Sequence, residues 1–442
     1  MNCNESLELI QQLLNHKNLS TIEQSIFVKT WEGLSYREIA AEYQYDEGYI
    51  REVGATLWRS LSEQIGYKIS KKNLRLHLNR LAQEQASVVT TTPQLQQERN
   101  SLSFPGASLP FGSPLYVRRS PIEELALSEM QQPGSLIRIK AAQDMGKTSL
   151  INHLIGTAQH WNMHTVLVDV RQAELDALNS LDRFLRWFCW NVGQQLQKTP
   201  EFDTYWFEAA GSSLSCTTYI QEVFLKNLQQ PVVIVIDKVH HLIDHDVLLR
   251  SFFPLLRSWY EQARINPHWQ KLRLVLTHST ELDLPLQPHQ SPFNVGLPLS
   301  LPPLSPEQAL ELAQCYGLAT ISLGSTQSLK SLIQLVDGHP YLLQLAFYHL
   351  RDGVLSLDDL LQSAATPQSI YHNYLMSLWH KLRQDDSLFE AFREVFSADV
   401  PITLDLNVAH RLEGMGLVKI QGCQVSPSCE LYRQHFGVYL GI

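Results

Sequence analysis

Short apolar runs alternate with helix-like segments between residues 114 and 302. The runs are rich in β-branched residues, and they occupy 135–141, 164–170, 231–237, 272–278 and 295–301. Strands that are buried on both faces read as continuous apolar runs, and parallel strands need a crossover connection between them. The alternation therefore predicts a doubly wound parallel sheet within a multidomain α/β plus α protein.

The first run leads into a segment with the spacing GxxxxGK[ST], in which Ala141 stands at the first glycine position, and a helical pattern follows. The backbone N–H groups of such a loop surround phosphates, and the start of the next helix adds partial positive charge. Lys147 would reach the β- and γ-phosphate oxygens, and the Thr148 hydroxyl would bind Mg²⁺. The predicted cofactors are ATP or ADP with Mg²⁺, and the predicted loop residues are Ala141, Ala142, Gln143, Asp144, Met145, Gly146, Lys147, Thr148 and Ser149.

A second run ends in Asp237, at the expected place of a magnesium-linked carboxylate. Hydrolytic P-loop proteins place Glu next, where it orients and deprotonates the attacking water, but this chain has Lys238. A protonated lysine cannot accept a proton, and loss of a general base costs about 10²–10⁴ in rate. The degenerate motif predicts weak or absent hydrolysis and leaves ATPase activity open, with Glu281 or Asp244 as candidate replacement bases.

Asp144 and Lys238 are unusual charges of opposite sign that both flank the place of a γ-phosphate. A carboxylate inside a phosphate loop is unfavourable unless it is neutralised or faces away. Two interpretations stay open: the two side chains pair with each other, or they are unrelated surface charges.

The flanking segments are predicted to be helical modules. Ser20, Ser35 and Asp46 can cap three successive helices, and Ser305 with Gln308 has the spacing of a capping box. The predicted organisation is a helix-turn-helix domain (1–80), a linker (81–113), a P-loop NTPase domain (114–302), a helical lid (303–365) and a winged-helix domain (366–442).

The sequence leaves two functions open for the N-terminal module, nucleic-acid binding and protein docking. Its third helix begins with Glu47, Gly48 and Tyr49, although a helix that reads DNA usually begins with polar and basic side chains. The next segment has only basic charges, and these could contact phosphates: Lys68, Lys71, Lys72, Arg75 and Arg80. Nucleic-acid binding through residues 47–80 and docking of a protein therefore both remain alternatives.

Charge and composition exclude several classes of protein. The net charge is -9, which argues against a globally basic nucleic-acid binder. No apolar stretch has the 18 residues of a transmembrane helix, and no secretory signal is recognisable. Six scattered cysteines are typical of reduced thiols, so we expect a cytoplasmic protein.

The motifs together resemble a known family. KAAQDMGKTSL, PVVIVID, LRLVLTHSTE, QSPFNVGLP and DGHPYLLQLA, within residues 100–440, are similar to segments of bacterial AAA-like, STAND-type P-loop ATPases. IFVKTWEGLSYREIAAEY and IREVGATLWRSLSEQIG resemble the helix-turn-helix of vWA–MoxR-associated proteins.

This resemblance implies further site residues. Tyr116, Val117 and Arg119 match the segment beside the adenine, and Thr277 matches the sensor of the γ-phosphate. The turn of the lid that touches the nucleotide corresponds to Gly338, His339 and Pro340. With Asp237 and Lys238, Thr277 completes the candidate catalytic set.

The leading hypothesis is a nucleotide-switched signalling protein that presents its terminal helical modules to a protein partner and that could oligomerise on nucleotide binding. One alternative is an active ATPase that uses another base. The other is a DNA-binding transcriptional regulator with a degenerate nucleotide site.

Overall fold

The computed structural model describes residues 21–32, 34–43, 45–65, 103–279, 287, 289–318, 326–351, 353 and 355–441. The chain divides into two compact units between Ser103 and Phe104. Within the described ranges, no helix combines the length and the hydropathy that crossing a bilayer requires.

The N-terminal unit contains the helices Thr21–Glu32, Tyr36–Tyr43 and Glu47–Ile65. Ser35 and Glu38 form a reciprocal capping box, and the Asp46 carboxylate accepts hydrogen bonds from the backbone N–H groups that follow it. The helices surround a small core that includes Ile26, Phe27, Ile39, Ile50 and Leu57. The prediction of three helices is confirmed, while Ser20 and the basic segment 68–80 lie outside the described residues.

The second unit is built on a parallel sheet with the strand order β2-β3-β4-β1-β5. Every residue of β3 and β4 is buried, as continuous apolar runs predict. The strands lie within the five predicted runs and are β1 Leu136–Lys140, β2 His164–Asp169, β3 Val232–Asp237, β4 Leu272–His278 and β5 Leu297–Ser300.

Helices cover both faces of this sheet. Phe184, Phe188 and Trp259 are fully buried in the core on one face, and Ile151 and Leu154 pack with β1 on the other. The helices of the sheet domain, counting both faces, are Ile122–Gln131, Lys147–His160, Leu175–Leu178, Leu181–Gln195, Phe202–Tyr205, Ser212–Tyr219 (continued as a π-helix to Leu225) and Asp246–Gln262.

Residues 104–113 belong to this unit, although the predicted linker extends to residue 113. The Leu109 backbone N–H donates to Ser149 Oγ at 3.0 Å, and the Asn152 side-chain amide donates to the Leu109 carbonyl at 2.9 Å. Phe111 packs directly on Gly156, where an added Cβ would lie 2.2 Å from the ring. The segment has no apolar periodicity because tertiary contacts, rather than a regular element, hold it in place.

The lid consists of the helices Pro306–Cys315, Thr326–Leu335, Pro340–Arg351 and Leu357–Ser363. The predicted capping box of Ser305 and Gln308 is present at the first of them.

The C-terminal module follows with the helices His372–Leu382, Asp386–Ser397 and Leu406–Gly414, the antiparallel hairpin β6 Val418–Gln421 and β7 Gln424–Pro427, and the helix Glu430–Leu440. Its core combines aliphatic side chains with an aromatic cluster, in which Phe392, Phe396 and Phe436 contact one another and the half-buried Trp379 packs on Phe392 and Phe436. This order of elements is compatible with a winged helix, and that assignment stays a prediction.

Candidate nucleotide-binding site

The loop after β1 has the backbone geometry of a phosphate-binding turn. Gly146 adopts a left-handed conformation with φ of 91°, and the helix Lys147–His160 begins at the next residue. Asp144 is also left-handed, with φ of 58°, whereas Ala141 does not have a positive φ. Alanine therefore replaces the usual glycine at that position without backbone strain.

The Lys147 ammonium lies over the start of the loop. Its Nζ donates to the carbonyl oxygens of Ala141 at 2.6 Å and Ala142 at 2.7 Å. Burial lowers the pKa of this amine to about 8, against the opposing effect of the Asp237 and Asp144 carboxylates. A phosphate ligand would stabilise the charged form, because an opposite charge nearby favours ionisation.

A cavity of about 650 Å³ opens over this loop. Three groups of residues line it: the loop residues Gln143, Asp144, Gly146, Lys147, Thr148 and Ser149; the sheet-domain residues Arg171, Lys238, His240 and His241; and, from later in the chain, Pro340, Tyr341, Gln344, Lys381, Arg411 and Met415. Within the second unit, the sheet domain, the predicted lid and the C-terminal module thus all contribute residues to one cavity.

Asp237 lies beneath this cavity in a network of buried contacts, and it is only 2% exposed. The Thr277 hydroxyl donates to Asp237 Oδ1, and the Lys238 backbone N–H donates to Thr277 Oγ1 at 3.0 Å. The Lys238 ammonium is 3.2 Å from Asp237 Oδ2 and 2.8 Å from Asp169 Oδ2. The three predicted catalytic residues are therefore in mutual contact, with Asp169 as a fourth member.

The hypothesis that Lys238 pairs with Asp144 is wrong in this structure. The ammonium bonds to Asp169 and Asp237, while the Asp144 carboxylate accepts a hydrogen bond from the Gln143 side-chain amide at 3.1 Å. The reason is the sheet order, which places the carboxyl ends of β2 and β3 side by side, with Asp169 in register with Asp237.

Asp169 and Arg171 are site residues that the motif analysis missed. The Arg171 guanidinium makes two hydrogen bonds to the Asp169 carboxylate. Burial alone would raise the pKa of that carboxyl, but the hydrogen bonds from Arg171 and Lys238 hold it well below its usual range. A signal was present, because the apolar run that forms β2 also includes a single aspartate at the carboxyl end of the strand.

His240 lies on the cavity wall as a neutral imidazole. Burial, followed by the positive charges of His241 and Lys147, lowers its pKa to about 3. It therefore adds a polar ring but no charge to the cavity near neutral pH. In the part of the chain that the structure describes, no group of three or more His, Cys, Asp or Glu residues could hold a metal ion.

Tyr116, Val117 and Arg119 border a second, narrow cavity beside the loop. Its volume is about 40 Å³, close to the share of one water molecule in the liquid, and it shares Gly146, Ser149, Pro340 and Gln344 with the larger cavity. The Arg119 guanidinium donates to the carbonyl of Met145 at 3.1 Å. The segment predicted to lie beside the adenine therefore touches the phosphate loop.

The predicted lid turn packs at Gly338 against the residues that precede the first lid helix. The Gly338 carbonyl accepts a hydrogen bond from the Leu304 backbone N–H at 2.9 Å. Burial, followed by the charge of Arg119, lowers the pKa of His339 to about 4, so its buried imidazole is neutral. Of the three predicted residues, Pro340 lines both cavities.

We expect Gly338→Ala to destabilise the protein strongly. An added Cβ would lie 2.2 Å from the Leu304 carbonyl oxygen, in a backbone with φ of 66°. Gly422→Ala is the matched control, because its φ is 62° and nothing lies within 4 Å of the added atom. The free energy of unfolding of the control should fall only by the conformational cost of a left-handed alanine, about 1–2 kcal/mol. Thermal unfolding of the two variants measures the difference. Equal losses of stability in the two variants would show that the backbone around Gly338 shifts to accommodate the added Cβ.

The residues predicted to bind Mg²⁺ do not fit a resident ion as they are arranged. Thr148 lines the cavity, but Asp237 is not among the described residues that line it. Each Asp237 oxygen already has a polar partner, which is Thr277 for one and Lys238 for the other. The Lys238 ammonium lies 3.2 Å from Asp237 Oδ2, so a cation approaching this oxygen would meet like-charge repulsion.

Comparison with family models agrees with this geometry. Residues 104–438 match the model of the AAA-like domain, which covers most of the chain. The chain belongs to the AAA-like domain family. Residues 1–81 match the N-terminal helix-turn-helix of vWA-MoxR associated proteins. No curated protein matches the sequence.

Three solved structures are similar to this AAA-like protein to different degrees. The Walker-type ATPase PABY2304 of Pyrococcus abyssi superposes with a TM-score of 0.51 at 12% identity, covering 74% of this chain and 96% of that one. The ORC2 protein of Aeropyrum pernix, in ADPNP–ADP complexes, has a TM-score of 0.44 at 14% identity and covers 77% and 96% of the two chains. The ORC1 protein of Aeropyrum pernix, in complex with DNA, has a TM-score of 0.34 at 13% identity and covers 73% and 92%. Of these matches the Walker-type ATPase, at 12% identity, supports the P-loop ATPase fold and nothing further.

Proposed function

We propose that this protein binds ATP or ADP and that the bound nucleotide controls how the C-terminal module is held against the phosphate loop. The loop geometry supports the first part. Lys147 and the left-handed Gly146 stand at the floor of a cavity large enough for a polyphosphate chain, at the carboxyl ends of parallel strands. Ligands of open α/β sheets bind at this edge.

The contacts between the C-terminal module and the loop carry the second part of the proposal. The Gln143 backbone N–H donates to the Gly414 carbonyl at 3.0 Å, and the Lys140 ammonium is 2.9 Å from a carboxylate oxygen of Glu413. An entering nucleotide would lie beside these contacts. Its phosphates would therefore change the free energy of docking the module, which is the requirement for a switch.

Hydrogen exchange measured by mass spectrometry tests this control directly. Amides in residues 406–421 should change their protection on addition of ATP or ADP to the full chain, because this segment contacts the loop. Lys147→Ala should abolish the change. Unaltered exchange at saturating nucleotide would show that the protein binds nucleotide without switching.

Two cations of the C-terminal module are expected to contribute to nucleotide affinity. Lys381 and Arg411 line the main cavity; Lys381 donates to the Gln143 side-chain oxygen at 3.3 Å, and Arg411 lies 2.7 Å from Asp385. Arg411→Ala should weaken ATP binding by about tenfold, the size of a hydrogen bond to a charged group. Arg393→Ala is the control, because Arg393 lies in the same module, pairs with Glu390 and is not among the cavity residues. Equal ATP affinities of the two variants would show that Arg411 of the C-terminal module does not contribute to nucleotide binding.

Weak or absent hydrolysis is part of the same proposal. Lys238 occupies the position of the catalytic glutamate, the general base, and forms ion pairs with two carboxylates. Of the replacement bases considered, Asp244 is not among the described cavity residues, and Glu281 lies outside the described part of the chain. Magnesium on Thr148 and Asp237 was predicted with the nucleotide, and no step here depends on it.

The remaining predictions concern partners and location. Protein docking by the terminal modules, nucleic-acid binding by residues 47–80, oligomerisation on nucleotide binding and a cytoplasmic location stay predictions. The basic residues Lys68, Lys71, Lys72, Arg75 and Arg80 lie outside the described residues.

A further inference from the structure

The position of the Lys238 ammonium bears on which cation the site uses. It lies 2.8 Å from Asp169 Oδ2 and 3.2 Å from Asp237 Oδ2, so it bridges the ends of two neighbouring strands. Its side chain is mostly buried and lines the same cavity as Lys147 and Thr148. A positive charge therefore stands between Asp237 and the space that phosphates would occupy.

We propose that Lys238 takes the place of Mg²⁺ in this site, so that nucleotide binding does not depend on a divalent cation. This inference rests on the proposed nucleotide binding. An ammonium has three N–H donors. One donates to Asp169 Oδ2 and the ammonium also forms an ion pair with Asp237, which leaves donor capacity for a phosphate oxygen in the cavity.

The surrounding charges hold the ammonium in this position. Asp169 is ionised because Arg171 and Lys238 donate to it, and it anchors the ammonium with its shorter contact. The second partner of Lys238, Asp237, is itself fixed by the Thr277 hydroxyl. A divalent ion beside Asp237 would face the ammonium at close range and would meet like-charge repulsion.

A matched pair of titrations tests the proposal on the full-length wild-type chain, with ATP in excess MgCl₂ and ATP in excess EDTA. The two dissociation constants should agree within about threefold, well below the tenfold change that corresponds to one lost charge-assisted contact. A loss of about tenfold or more in EDTA would overturn the inference while leaving the proposed nucleotide binding intact. Absence of binding in both solutions would refute the proposed function itself.

Variants at Lys238 assign the effect to this side chain. Lys238→Arg retains the positive charge and should keep the affinity in EDTA, whereas Lys238→Met should make ATP binding depend on MgCl₂. Lys226→Met is the control, because Lys226 pairs with Glu222 on a helix and does not line the cavity. If Lys238→Met is too unstable to purify, the wild-type titrations and Lys238→Arg still decide the question. Equal metal independence in wild type and Lys238→Met would show that another group supplies the charge.

Discussion

Lys147→Ala should remove most of the thermal stabilisation that ATP confers on this protein. A ligand that binds only the folded state stabilises it by about 2.7 kcal/mol at one hundred times its dissociation constant. In the variant the loop has no ammonium to meet the phosphates, so the shift in melting temperature should largely disappear. The measurement is thermal unfolding with and without ATP.

The comparison concerns the ATP-induced shifts and not the melting temperatures themselves. Burial already lowers the pKa of Lys147 to about 8, which means that folding disfavours its charged form. Removing this amine therefore changes the stability of the unliganded protein as well. Lys226→Ala removes an exposed lysine outside the site and serves as the control. Equal shifts in wild type and Lys147→Ala would contradict the assignment of the phosphate loop.

The second large effect is expected at position 238, in assays of phosphate release with MgCl₂. Wild-type turnover should be very slow, because Lys238 replaces the general base. Lys238→Glu alone would place a third carboxylate beside Asp169 and Asp237, which lie within 3.2 Å of the present ammonium. Repulsion among these carboxylates should weaken ATP binding, so the single variant should gain little activity.

Combining Lys238→Glu with Asp169→Asn should restore binding and raise turnover by about 10²-fold, the lower end of a general-base effect. Such non-additivity is expected for side chains in contact. The control is Lys238→Glu with Asp144→Asn, which should not be rescued, because Asp144 bonds to Gln143 and not to Lys238. If Asp144→Asn rescued Lys238→Glu and Asp169→Asn did not, the observed pairing of Lys238 with Asp169 would be contradicted.

Wild-type turnover on the order of 1 per second or above, lost in Lys147→Ala, would show that the protein is an active ATPase with another base. That result would also refute the role given to Lys238. Tight retention of ATP with negligible phosphate release would support the switch.

The strands and the loop could be predicted from the sequence because each depends on local features, whereas the lid turn was implied only by the family resemblance. Five apolar runs predicted five parallel strands, and the glycine, lysine and hydroxyl spacing identified the loop after β1. The capping box at Ser305 was equally local. These features depend on residues only a few positions apart, so their pattern is visible in the sequence itself.

The partners of the site charges were decided by the tertiary structure. Asp169 and Lys238 are 69 positions apart and meet only because β2 pairs with β3, and the sequence alone suggested Asp144 instead. Lys381 and Arg411 reach the cavity because the C-terminal module packs on the loop. The sequence by itself predicted which residues would bind phosphate. Strand order and module docking decided which charges lie around the loop, because electrostatic interactions depend on distance in space and not along the chain.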